Sequence, residues 1–195
     1  MRLPSSRARA LASLHPWTAW NPPCIRRVHS TATVAVALER TLVIGHVAVA
    51  QFAPIADKPG NLAEVARLAG AAADRGAEVV VLPEYSMFTV PAMDERFVAS
   101  AEGLDGAFVT GLREVAAHRG STVVAEMNEA LPEGGRIFNT LPRVRFRARR
   151  GDHGAGHVKA AGLTFDLQTC YDLRFPEVTG RLADGRAQVV ALPAE

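Results

Sequence analysis

Two periods alternate along this chain from residue 42 onward. Val47–Phe52, Glu78–Leu82 and Thr122–Met127 have the length and β-branched content of buried strands. Between them, Leu62, Val65, Ala66, Leu68, Ala69, Ala72 and Ala73 recur at helical spacing, with Asn61 as the expected N-cap and Arg75-Gly76 as the end. Phe108 to His118 reads as a second helix closed by Gly120. Strand, helix, strand in this order predicts parallel pairing through a right-handed crossover. Strands that are apolar throughout predict a sheet covered on both faces, so the fold class is α/β.

A third block repeats the theme. Leu163, Phe165 and Leu167 alternate with Thr164, Asp166 and Gln168 as in a strand; Glu177 to Asp184 is helical, and Gln188 to Leu192 is the next strand. Pro176 suits the first turn of that helix, where a missing N–H costs nothing. Cys170 sits where the strand gives out, at the position from which a side chain projects into the crevice at a sheet's carboxyl edge. Turn N–H groups there can stabilise a thiolate or an oxyanion. A lone cysteine is also a common small core residue, so local position leaves both readings open. The run Ala77 to Leu82 similarly leads through Pro83 to Glu84, a carboxylate at a strand end.

Taken together, Leu82-Pro83-Glu84 and Cys170-Tyr171-Asp172-Leu173-Arg174-Phe175-Pro176-Glu177 resemble the nitrilase (carbon–nitrogen hydrolase) superfamily, over about Val47 to Ala194. The second motif resembles the branch of small amidases that includes ω-amidase and deaminated-glutathione amidase. The resemblance implies an α-β-β-α sandwich, incomplete at the C-terminus here. It also implies Cys170 as nucleophile, Glu84 as general acid and base, and cleavage of a small linear amide through a cysteine thioester, with no cofactor and no metal. Asp172, Arg174 and Glu177 are expected to brace the elbow. The family's catalytic lysine has no motif-matched counterpart: Lys58 lies outside the pattern, and Lys159, a weak candidate, lacks its context. Glu126 and Asp166 stand where related sequences usually carry glycine. Residues 142–154, with five arginines, replace the family's hairpin and lysine motif. Two alternatives therefore stand beside the amidase: an inactive relative acting through association, and a single-thiol redox sensor.

At 195 residues, 48% hydrophobic and 22% charged, one globular domain is the default. Residues 1–40 hold six arginines and one acid without a sustained period, and are expected to be a poorly ordered extension, either a targeting segment or sequence upstream of the true start; residues 41–195 form a partial hydrolase domain. That domain is mildly acidic, which argues against nucleic acid as a partner. No run of 18 apolar residues exists, so no membrane partner is expected. The two cysteines, Cys24 and Cys170, form no disulfide framework, which points to a reducing cytoplasm. A small-molecule amide is the expected partner, with self-association into a homo-oligomer if the chain folds.

Overall fold

The computed structural model describes residues 10–13, 27–38, 41–92, 94–131, 137–145, 158–185 and 187–194. In chain order these form β1 (Ala10–Ser13), β2 (Arg27–Leu38), β3 (Thr41–Gln51), α1 (Lys58–Ala73), β4 (Val79–Val81), α2 (Glu95–Ser100), α3 (Ala107–Arg119), β5 (Thr122–Val124), β6 (Met127–Ala130), β7 (Ile137–Thr140), β8 (Arg143–Arg145), β9 (Val158–Ala160) and β10 (Leu163–Leu167). A 3-10 turn (Cys170–Arg174), α4 (Pro176–Asp184) and β11 (Val189–Ala191) follow. Strands β3, β4 and β5 are parallel, with α1 between the first two and α3 between the second two, as the alternation predicts. They lie inside a sheet of order β1-β2-β3-β4-β5-β8. A second sheet, β11-β10-β9, pairs β10 in parallel with β11 and antiparallel with β9, and β6 and β7 form a separate antiparallel pair.

Strand β4 shows why the layers stack as they do. Val79, Val80 and Val81 are all buried, the state that an apolar run takes in a parallel strand covered on both faces. Val80 belongs to a core with Ala48, Val123, Val65 and Leu68 of α1, and Leu112 and Ala116 of α3. Val79 and Val81 belong to the other core, with Val158, Leu163, Phe165 and Ala191 of the second sheet. Fully burying one such side chain contributes about 1.5–3 kcal/mol. Helices α1 and α3 thus cover one face of the main sheet and the second sheet covers the other.

Three expectations are corrected. Asn61 does not cap α1: the helix begins at Lys58 with Pro59 in its first turn, and the Asp57 side chain accepts the Gly60 N–H. Proline's fixed φ favours that earlier start. Asn61 is instead buried, bonding both backbone groups of Ile55 and the Met87 carbonyl. The strand expected over 122–127 breaks between β5 and β6 at Ala125 and Glu126, for a reason that belongs to the site. Residues 27–38, expected to carry little order, form β2, antiparallel to β3 from Leu38 opposite Thr41 to Arg27 opposite Gln51, with one irregularity between Val28 and Ser30. Thr31, Thr33, Val34 and Val36 give this segment the β-branched content that suits a strand. Residues 10–13 pair with β2 in turn, while 1–9, 14–26 and 39–40 lie outside the described residues.

Candidate active site

Glu84 lies three residues past the end of β4. The Leu82 N–H still donates to Val124 O at 2.9 Å, after which Pro83, which has no N–H, ends the ladder. Tyr85 then takes φ +54°, a left-handed conformation uncommon for an aromatic residue. The turn is held from several sides. The Ser86 hydroxyl donates to Pro83 O at 2.6 Å, the Tyr85 N–H to Glu126 Oε2 at 2.8 Å, and the Met87 N–H to Glu126 O at 3.0 Å. Receiving these two N–H groups is what interrupts the strand at Glu126. Glu84 itself is buried, and Asn139 Nδ2 of β7 donates to its Oε1 at 3.1 Å.

Cys170 lies three residues past the end of β10 and opens the 3-10 turn. It is half-buried, carries a thiol rather than a disulfide, and takes φ +26°. Two bonds extend the parallel ladder to reach it: Gln168 N–H to Ala191 O and Cys170 N–H to Pro193 O, both 2.9 Å. The nucleophile candidate's own N–H is therefore committed to the neighbouring strand, not offered to an oxyanion. Asp172 braces the turn as expected, its Oδ2 accepting the Thr169 N–H at 3.0 Å and its own N–H donating to Thr169 O at 2.7 Å. Arg174 and Glu177 are exposed and make no side-chain ion pair among the described residues.

Glu84 and Cys170 thus occupy equivalent places, each just beyond the carboxyl end of a strand, on two sheets that share one apolar core. The lysines do not join them in that arrangement. Lys159, in β9 opposite Thr164, is exposed, whereas its neighbours Val158 and Ala160 point into the core between the sheets. Lys58, at the start of α1, bonds Glu102 Oε1 at 2.6 Å and Ser100 O at 3.0 Å. Burial works against the charge on Glu102, but Lys58 and the N–H groups of Phe108 and Ala107 outweigh it and hold its carboxyl below the ordinary value. Asp166 is buried in β10 opposite Val190. Of the arginine-rich segment, Arg143 and Arg145 lie in β8, paired with β5, and 146–157 lie outside the described residues. Among the described residues no group of three His, Cys, Asp or Glu side chains is placed to hold a metal ion. No helix among them is long and apolar enough to cross a membrane.

Sequence reasoning missed two residues that touch the Glu84 turn. Asn139 lies between Phe138 and Thr140, and nothing local announces a partner 55 residues away. Glu126 registered as an unexpected carboxylate without a partner to explain it.

This layered arrangement is the nitrilase-superfamily fold. It is shared with the NitFhit protein of C. elegans (TM-score 0.64, 18% identity, covering 76% of this chain and 43% of that one) and with an amidase from Nesterenkonia sp. (TM-score 0.57, 23% identity, 76% and 64%). Residues 46–142 match the carbon-nitrogen hydrolase family. A hydrolase of Mycobacterium tuberculosis is 32% identical over 173 residues, covering 76% of this chain and 60% of the relative. The deaminated glutathione amidase of Escherichia coli is 28% identical over 170 residues, covering 76% and 64%. The chain thus spans about 60% of the length of these curated relatives.

Proposed function

We propose that this chain carries the acylating half-site of an amidase, with Cys170 as nucleophile and Glu84 as proton carrier. The observation that carries the reading is the equivalent placement of the two residues at strand ends over a shared core, with Glu84 buried and oriented by Asn139. Similarity to the deaminated glutathione amidase and to the Nesterenkonia amidase, a Glu-to-Gln mutant of which shows Michael addition of acrylamide at its active-site cysteine, supports a small linear amide as substrate.

In the reaction Glu84 takes the Cys170 thiol proton as sulfur attacks the amide carbonyl. The tetrahedral oxyanion collapses, the C–N bond breaks, and Glu84 returns the proton to the departing amine. Water, deprotonated by Glu84, then attacks the thioester; the acid leaves and the thiol is restored. We assign no lysine to the oxyanion, because Lys159 is exposed on β9 and Lys58 is paired with Glu102. Losing one such donor costs about 10²–10³ in rate, roughly 3–4 kcal/mol. Acylation by an activated ester is therefore measurable where steady-state turnover of unactivated amides is negligible.

The test is incubation with p-nitrophenyl acetate followed by peptide mass mapping. One acetyl group on Cys170, absent in Cys170→Ala and slow to form in Glu84→Gln, is the expected result. Acetylation distributed over other side chains, or none, would overturn the assignment. Amide turnover by the unaltered chain that disappears in Lys159→Ala would promote Lys159 to the third catalytic residue.

A further inference from the structure

The Glu84 turn is held in a strained conformation by a carboxylate that the chemistry above does not use. Tyr85, at φ +54°, pays a backbone cost of about 1–3 kcal/mol, and such residues persist only where their surroundings over-determine them. Two of the bonds that hold the turn come from Glu126. That side chain is fully buried, its Oε2 accepts the Tyr85 N–H at 2.8 Å, and its carbonyl oxygen accepts the Met87 N–H at 3.0 Å. One residue thus grips the turn at two points, immediately after Glu84. The Tyr85 ring adds an edge contact to Phe97, with centroids 5.5 Å apart. Leaving a buried N–H without its acceptor costs about 1–3 kcal/mol, the same range as the strain at Tyr85.

We infer that Glu126 is a positioning residue for Glu84: its carboxylate holds Tyr85 in the left-handed conformation and so sets the direction in which the Glu84 side chain leaves the strand end. This rests on the reading of Glu84 as proton carrier. Asn139 fixes the carboxylate of Glu84 from β7, and Glu126 fixes its backbone from the junction of β5 and β6. A carboxylate buried in the middle of a strand pattern is thereby explained.

The experiment compares second-order acylation rates of Cys170 by p-nitrophenyl acetate, per folded molecule, in Glu84→Gln, Glu126→Ala, Glu126→Gln and Glu126→Ala/Tyr85→Gly, each in the full chain. A misplacement of about 1 Å can cost on the order of 100-fold, so Glu126→Ala should fall close to Glu84→Gln. Glu126→Gln, whose amide oxygen still accepts the Tyr85 N–H, should keep most of the rate. Tyr85→Gly, which adopts positive φ without strain, should restore much of it in the Glu126→Ala background. A merely structural Glu126 would lower the melting temperature and leave the rate per folded molecule unchanged. That outcome, or the absence of rescue by Tyr85→Gly, overturns the inference while Glu84→Gln remains slow. If Glu84→Gln itself acylates at the unaltered rate, the proton-carrier reading falls and the positioning role falls with it.

Discussion

Gly45, in the middle of β3, is a position at which the two sheets come close together. A Cβ built there lies 2.9 Å from the Ala161 Cβ, 3.0 Å from the Ala161 carbonyl oxygen and 3.0 Å from Leu163 Cδ1. Two of those neighbours belong to the turn joining β9 to β10, so relief requires the hairpin to move, not a side-chain end to swing. Ala161 and Gly162 are its two central residues, at φ +51° and +73°, the double positive φ of a type I′ turn. Gly45→Ala should therefore cost about 1–3 kcal/mol, the usual range for overpacking a filled core. Ala161→Gly should by itself be near neutral or stabilising, because glycine removes the left-handed strain of alanine. It also deletes the nearest clashing atom, so the double variant should recover part of the Gly45→Ala loss. Urea denaturation of the four proteins measures the coupling. If the two changes are additive, or Gly45→Ala is silent, the sheets do not meet at this point as described.

Other predictions concern the supports of the site. Glu102 is held below its ordinary pKa, so the folded state binds its proton less readily than the unfolded chain. Its contribution to stability is present above the ordinary value of 4.5 and is lost as pH falls through the folded value; the stability gap between wild type and Glu102→Gln should close on acidification, and a gap independent of pH would refute the linkage. Asn61→Leu strands the Met87 carbonyl and the Ile55 N–H, and should cost about 1–3 kcal/mol in thermal or urea unfolding. Leu112→Ala, in a fully buried position between α3 and the main sheet, should cost about 2–5 kcal/mol by the same measurement.

The parallel strands and their helices were legible because each buries a face, and burial writes a period into the sequence: β4, α1, α3, β10, α4 and β11 all lie within a few residues of their expected places. The strand-end positions of Cys170 and Glu84 were legible for the same reason, since each follows a strand pattern. What the pattern could not carry is information about partners far along the chain. Asn61 reads as a cap because the local signal is right, yet its partners include Met87, on another segment. The break at Glu126 is invisible in a run of β-formers, since its cause is the Tyr85 N–H. Strand β2 was hidden differently, by an arginine-bearing segment whose alternation is confined to its second half.

The bond from Cys170 N–H to Pro193 O sets an order of events in biosynthesis. The left-handed backbone at Cys170 needs support from the strand that follows α4, and that strand leaves the ribosome after the cysteine does. Backbone conformation at Cys170 that leans on this bond arrives only with the carbonyl of Pro193, so the turn closes after the strand behind it has been made.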